Sequence, residues 1–215
     1  MFIYFVYALL LFECTAMCTA WLCFKQQQRE MKYFALYLTF IFFSELLGHI
    51  SQQNIWNNLN MYYLNLIVIP IEFLFFFWLY YSLTVVKTHR IVILVFSSIY
   101  LILLMLECFQ IQTTVFLSLS YLFGSISILV MIFGYFLEYL KNGNLQKMKY
   151  NPYIYISVGL LLFYLGTSPY YGLKNFIYKE YKEIINNYWY VAICLNCIMY
   201  CMFTVSFLCS RRKSI

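Results

Sequence analysis

Residues 61–86 read MYYLNLIVIPIEFLFFFWLYYSLTVV. Almost every position is apolar, and the exceptions near the middle are Asn65, Pro70 and Glu72. A helix needs roughly 20 apolar residues to cross about 30 Å of hydrocarbon. The stretch therefore predicts a membrane span, long enough to tilt, with a carboxyl group near its centre. Pro70 cannot donate a hydrogen bond to the carbonyl of Leu66, so that carbonyl must find another partner.

Six further stretches have the same character: 2–24, 33–50, 91–110, 115–140, 153–173 and 188–210. The expected fold is an all-α membrane protein, a bundle of seven transmembrane helices in a single domain over 1–215. Composition agrees. The 215 residues are 64% hydrophobic and 10% charged, against about 25% charged in soluble domains. The polar gap between the fourth and fifth spans, Ile111 to Thr114, is short. Without a turn there, residues 91–140 would form a helix of about 75 Å, too long for one crossing. Ser168 and Pro169 are expected to disturb the outer end of the sixth span.

Orientation follows from the basic residues. Lys25, Arg29 and Lys32 lie in the first connection, Lys87 and Arg90 in the third, and Lys141, Lys147 and Lys149 in the fifth. Arg211, Arg212 and Lys213 lie in the tail. The other side has Lys174, Lys179 and Lys182, offset by Glu180 and Glu183, and the uncharged loop 51–60. The positive-inside rule puts the N-terminus outside and the C-terminus in the cytoplasm. Trp56, Tyr62, Tyr63, Tyr170, Tyr171, Tyr188 and Trp189 fall near the outer boundary, and Trp21, Tyr33, Tyr150 and Tyr153 near the inner one. They form the expected aromatic belts. The N-terminus has no basic flank before its apolar run and reads as the first span, not a cleaved signal. The expected location is a bacterial inner membrane.

The chemistry is expected in the acidic residues within the spans. Glu13, Glu45 and Glu72 lie inside apolar segments, and no Lys or Arg lies deep in any span. An unpaired charged carboxylate is costly there. Each must be protonated, hydrogen-bonded, hydrated or paired with a cation from elsewhere. Glu45 and His49 are i,i+4 and share a face, as the spacing of Asn65 and Glu72 also predicts. Asn196 lies toward the outer end of the last span. The simplest reading is one outward-facing ligand pocket lined by Glu13, Glu45, His49, Asn65, Glu72 and Asn196. Interhelical glue is the structural alternative. Glu107 and Glu138, close to span ends, read as snorkelling residues.

Other signals are weaker. Cys194 and Cys197 make a C-x-x-C on the last span, read as packing because the outer loops hold no cysteine. Ser120, Gly124 and Ser127 form a small-residue stripe that predicts close helix packing. Several enzyme classes are excluded. There is no H-E-x-x-H and no G-x-S-x-G. Asp is absent, so no aspartyl dyad can form, and two histidines cannot make a three-histidine zinc site. Residues 188–210 have no lysine to hold retinal. No cofactor, metal or catalytic residue is expected. The net charge of +6 is a matter of topology and anionic lipid, with no direct nucleic-acid contact.

The order of features, with SELLGHI at 44–50, the outer-end polar patch followed by Pro and Glu at 60–81, NPYIYISVGLLLFYLGTSPYY at 151–171 and WYVAICLNCIMYCMFTVSFLC at 189–209, resembles small seven-helix membrane proteins frequent in Bacteroidota. That resemblance spans nearly the whole chain. It implies a fold and a location more than an activity, and it would carry over to Glu45, Pro70, Glu72, Gly159, Gly166 and Asn196. In size and composition the chain is also similar to multi-span accessory proteins of phage-defence (CRISPR-associated) systems.

Three functions follow as expectations. The first is a sensor or binding protein for a small cationic or lipid-like ligand, signalling to a cytoplasmic protein partner through the basic loops. The second is a transporter, a pore or a membrane-perturbing phage-defence accessory protein, a pore arising as a homo-oligomer. The third, ranked last, is a lipid-modifying enzyme using Glu72 or Glu45 with His49. Membrane lipids are partners in every case.

Overall fold

The computed structural model describes residues 2–52, 63–109, 118–141, 149–177 and 182–212. Among them the chain is all-helical, with seven helices: α1 (Phe2–Cys23), α2 (Arg29–Gln52), α3 (Ile69–Leu83), α4 (Lys87–Phe109), α5 (Ser118–Lys141), α6 (Pro152–Ile177) and α7 (Lys182–Arg212). Six segments are long and apolar enough to cross a membrane: Tyr4–Gln26, Arg29–Ile50, Leu64–Leu83, Lys87–Phe109, Leu119–Lys141 and Tyr188–Ser210. The segment outside these six is α6. Tyr153, Tyr155, Tyr164, Tyr170, Ser157, Ser168 and Pro169 dilute its apolar character. Most of its described side chains are buried, so they meet protein and need less hydrocarbon character.

The expected loop 51–60 begins later, since α2 runs on through Gln52; its residues 53–60 with Trp56, the polar gap at Ile111–Thr114, and Tyr62, Lys147, Lys179 and Lys213 lie outside the described residues. The helices on either side of the gap end at Phe109 and restart at Ser118. Pro169 does not end its helix, which continues to Ile177.

Two compact units make up the chain. The first comprises Met1–Ile55, Asn144–Phe163 and Tyr190–Ile215, and the second Trp56–Gly143 and Tyr164–Trp189. Helices α6 and α7 lend a part to each.

In the first unit, α1 ends in a 3-10 turn at Phe24–Gln26, and extended Gln27 breaks the helix before α2 begins. Trp21 Nε1 donates to Thr39 Oγ1 at 2.9 Å, tying α1 to α2. Phe34 stacks on Phe207 at 5.4 Å and meets Phe203 edge-on at 4.9 Å, fixing α2 on α7. The Tyr153 hydroxyl donates to Gln28 Oε1 at 3.0 Å. Gly159 lets α6 approach α7: a Cβ there would lie 3.0 Å from Met202 Cβ and 3.3 Å from the Met199 carbonyl oxygen. Small residues permit such contact where lipid gives helices no hydrophobic reason to associate.

In the second unit, Phe73 is fully buried. Its ring lies 5.2 Å from Tyr100, 5.5 Å from Tyr121 and 5.7 Å from Tyr164. Gly124 makes the space: a Cβ on it would stand 2.7 Å from the Phe73 ring. The small-residue stripe on α5 is thus a packing face. Helix α4 is mostly exposed, and its buried residues are Ile93 and Tyr100. Serines within the helices donate back to their own turn, as Ser125 does to Tyr121 O at 2.7 Å and Ser98 to Leu94 O at 2.9 Å. Those hydroxyls need no outside partner in an apolar medium.

The two terminal glutamates of this unit do not snorkel. Glu138 is buried and accepts from Val85 N at 3.1 Å, while its other oxygen lies 2.5 Å from His89 Nδ1. Arg90 Nε donates to Thr84 O at 2.8 Å. Together these contacts pin the link between α3 and α4. Glu107 accepts from Leu119 N and Ser120 N, both at 2.9 Å, and so caps the start of α5. Both carboxylates serve main-chain N–H groups that are available there. Glu138→Ala leaves the Val85 N–H and His89 without their acceptor. The expected cost is about 1–3 kcal/mol, read as a lower thermal midpoint in detergent. Glu138→Gln, which keeps an acceptor, should lose less.

Candidate functional site

The six residues singled out by sequence divide between the units. Glu13, Glu45, His49 and Asn196 belong to the first, and Asn65 and Glu72 to the second.

In the first unit the structure brings Glu13 and Glu45 within electrostatic reach of each other. Glu13 is 3% exposed, and neither of its carboxyl oxygens has a hydrogen-bond partner among the described residues. Helix α7 faces it with two groups. Tyr200 and Cys197 both lie close enough to interact with it electrostatically. Asn196 precedes Cys197 and is four residues from Tyr200, so it shares a helix face with that tyrosine. Its Oδ1 is buried and has no hydrogen-bond partner among the described residues. His49 packs its ring edge-on against Tyr7 at 5.5 Å.

In the second unit the site is built on a widened turn. Residues Leu64–Val68 form a π-helix, and Ile69 N donates to Leu64 O, five residues back. Proline explains the location. Its ring crowds the carbonyl four residues earlier and it supplies no N–H, so a wider turn just before Pro70 relieves both problems. A π turn takes one more residue than an α turn. The seven-residue spacing of Asn65 and Glu72 therefore falls short of two full turns, and the shared face expected from α periodicity is rotated. Asn65 is buried in this turn.

Glu72 meets a different partner. The Tyr164 hydroxyl donates to Glu72 Oε1 at 2.6 Å. Tyr100, also near Glu72, is fully buried, and its hydroxyl has no hydrogen-bond partner among the described residues. The result is a carboxyl group with two phenols near it, and the rings of both tyrosines lie against that of Phe73.

Sequence reasoning did not single out Tyr100, Tyr164 or Tyr200. The chain has 23 tyrosines. The available signal was helical spacing: Tyr100 lies two turns from Glu107 on α4, and Tyr200 one turn from Asn196 and Cys197 on α7. All eight cysteines are free thiols. Among the described residues no three His, Cys, Asp or Glu side chains come together as metal ligands do.

Comparison with known protein families, curated proteins and solved structures gave no match.

Proposed function

We propose that this chain is a multi-pass membrane binding protein that senses a small amine-bearing cation at the Glu72 cluster and signals to a cytoplasmic partner. In this reading α6 is a seventh crossing, the N-terminus is outside, and the basic connections face the cytoplasm of a bacterial inner membrane. The observation that carries it is Glu72 held by Tyr164 beside the buried hydroxyl of Tyr100, which has no hydrogen-bond partner among the described residues. An intramembrane carboxylate favours a cation. A phenol without a partner offers one donor and two acceptor sites. Aromatic rings nearby favour an alkylammonium group over a bare hydrated ion. The widened turn at Leu64–Val68 supports the reading too, since π turns recur where helices carry function. Lys25, Lys87, Arg90 and Lys149 are candidate contacts for the partner.

The test is thermal unfolding of the purified protein in detergent with primary and quaternary alkylamines. Saturating ligand at about 100 times its Kd stabilises a protein by about 2.7 kcal/mol. One amine class is expected to raise the midpoint, and Glu72→Gln to abolish that rise while leaving the unliganded midpoint close to wild type. An unchanged response in Glu72→Gln, or no response to any amine, rejects the assignment.

A further inference from the structure

We propose that the break between α1 and α2 is a binding site for an anionic phospholipid, which seats its phosphate on Arg29 and Lys32 and lays an acyl chain along α2. The site lies in the first unit and does not depend on the amine reading of the Glu72 cluster.

The argument starts from the break itself. Tyr4–Gln26 and Arg29–Ile50 are each long and apolar enough to cross a membrane, and the short link between two such crossings lies at a lipid surface. Residues 25–32 read KQQQREMK, three cations and one acid. Lys25 and Arg29 are exposed and Lys32 is half-buried, and none of the three forms an ion pair among the described residues. Aromatic rings hold two of them in place. The Arg29 guanidinium lies 5.6 Å from the centre of the Tyr33 ring. Lys32 Nζ lies 5.7 Å from that of Phe24, which stacks on Trp21 at 4.8 Å. Cations ordered in this way lose little further freedom on meeting an anion.

The main chain adds to the field. Helix α2 runs for 24 residues, and Lys32 N donates to Gln28 O at 3.1 Å. The N–H groups of Arg29, Glu30 and Met31 come before that bond, where a helix is electropositive and receives anions. The side chain of Gln28 is engaged elsewhere, its Oε1 accepting from the Tyr153 hydroxyl at 3.0 Å. Gln27 is an independent sign of a missing partner. It is 7% exposed, and neither Nε2 nor Oε1 has a hydrogen-bond partner among the described residues. A buried amide in that condition is costly, and a phosphate oxygen gives its N–H an acceptor.

Charge alone would suit free phosphate equally well. The adjoining surface selects a lipid. Arg29, Tyr33, Leu36, Phe43 and Leu47 fall on one face of α2 by helical spacing. Beyond the cation at its start, that face is aromatic or aliphatic and exposed at each of these positions. Leu36 to Leu47 covers about 16 Å, room for most of an acyl chain. A cationic end that continues into an apolar strip matches an amphiphile with a negative head.

The test uses the full-length protein in neutral detergent with phosphatidylglycerol, phosphatidylcholine or inorganic phosphate added. Bound lipid is counted by native mass spectrometry, and the thermal midpoint is followed beside it. Phosphatidylglycerol should bind and raise the midpoint, and the other two at equal concentration should do neither. Arg29→Gln should weaken phosphatidylglycerol binding about 10-fold, from loss of a charge-assisted contact, and Arg29→Lys should weaken it less. Gln27→Leu should also weaken binding, yet leave the lipid-free midpoint at or above that of wild type, because it removes a buried amide without partners. Lys141→Gln, an equal loss of charge at the end of α5, should bind as wild type does. Should Arg29→Gln fail to fold, Lys32→Gln is read in the same way. Equal binding of phosphatidylglycerol and phosphatidylcholine, a response to inorganic phosphate that matches the lipid's, or losses of the same size in Arg29→Gln and Lys141→Gln each overturns the proposal. Because Arg29→Gln leaves the Glu72 cluster intact, loss of the lipid response with the amine response retained separates the two sites.

Discussion

Phe73→Ala is expected to destabilise the protein by about 3 kcal/mol, one of the two largest effects foreseen for a single substitution. Phe73 is fully buried and its ring meets those of Phe77, Tyr100, Tyr121 and Tyr164. Phenylalanine-to-alanine changes in cores cost about 3–5 kcal/mol. The lower end applies here, because lipid solvates an apolar ring almost as well as protein does and the transfer part of the loss shrinks. What remains is the lost dispersion contact around an emptied site. A Phe73→Leu variant should recover much of it. The measurement is reversible unfolding in mixed micelles, and an alanine variant within 0.5 kcal/mol of wild type would show that the ring is not a packing centre.

Gly159→Leu is the second. The first obstacle to a Cβ at 159 is Met202 Cβ at 3.0 Å, and behind it the main chain of Met199 at 3.3 Å. A methionine terminus could bend away, but a Cβ and a carbonyl move only with their helix. Leucine must therefore part α6 from α7 in the first unit. Overpacking of this kind costs about 1–3 kcal/mol, and the loss of close contact around it adds to that. Gly159→Ala should fall between leucine and wild type. If leucine and alanine are equally well tolerated in thermal unfolding, the close approach of these two helices is not a constraint.

The sequence made the helices legible because hydrocarbon imposes a length, and each apolar run has a helix over most of it, although the ends differ by up to six residues, as where α7 begins at Lys182 and not at 188. The α1–α2 connection with Lys25 and Arg29 and the α3–α4 link before Lys87 fall where charge interrupts the runs. The π turn was legible in kind, since Pro70 demanded some rearrangement around Leu66, but its form was not. Spacing rules written for 3.6 residues per turn placed Asn65 and Glu72 on one face and missed the extra residue. The acidic residues themselves stand out against an apolar background. Their partners do not. Glu72 binds a tyrosine 92 positions away and Glu138 a histidine 49 positions away, and nothing local marks either pair. Glu107 and Glu138 looked like chain-end charges reaching for water because their acceptors' partners are main-chain N–H groups, which no side-chain pattern encodes.

Glu107 at the start of α5 bears on how such a chain rests in the bilayer. The leading N–H groups of a helix carry about half a positive charge, a burden that hydrocarbon does not relieve. The α4 carboxylate meets that burden on the neighbouring helix, so two segments that would each be awkward alone become compatible as a pair. The carboxylate of α4 and the leading N–H groups of α5 thus offset one another where neither meets water.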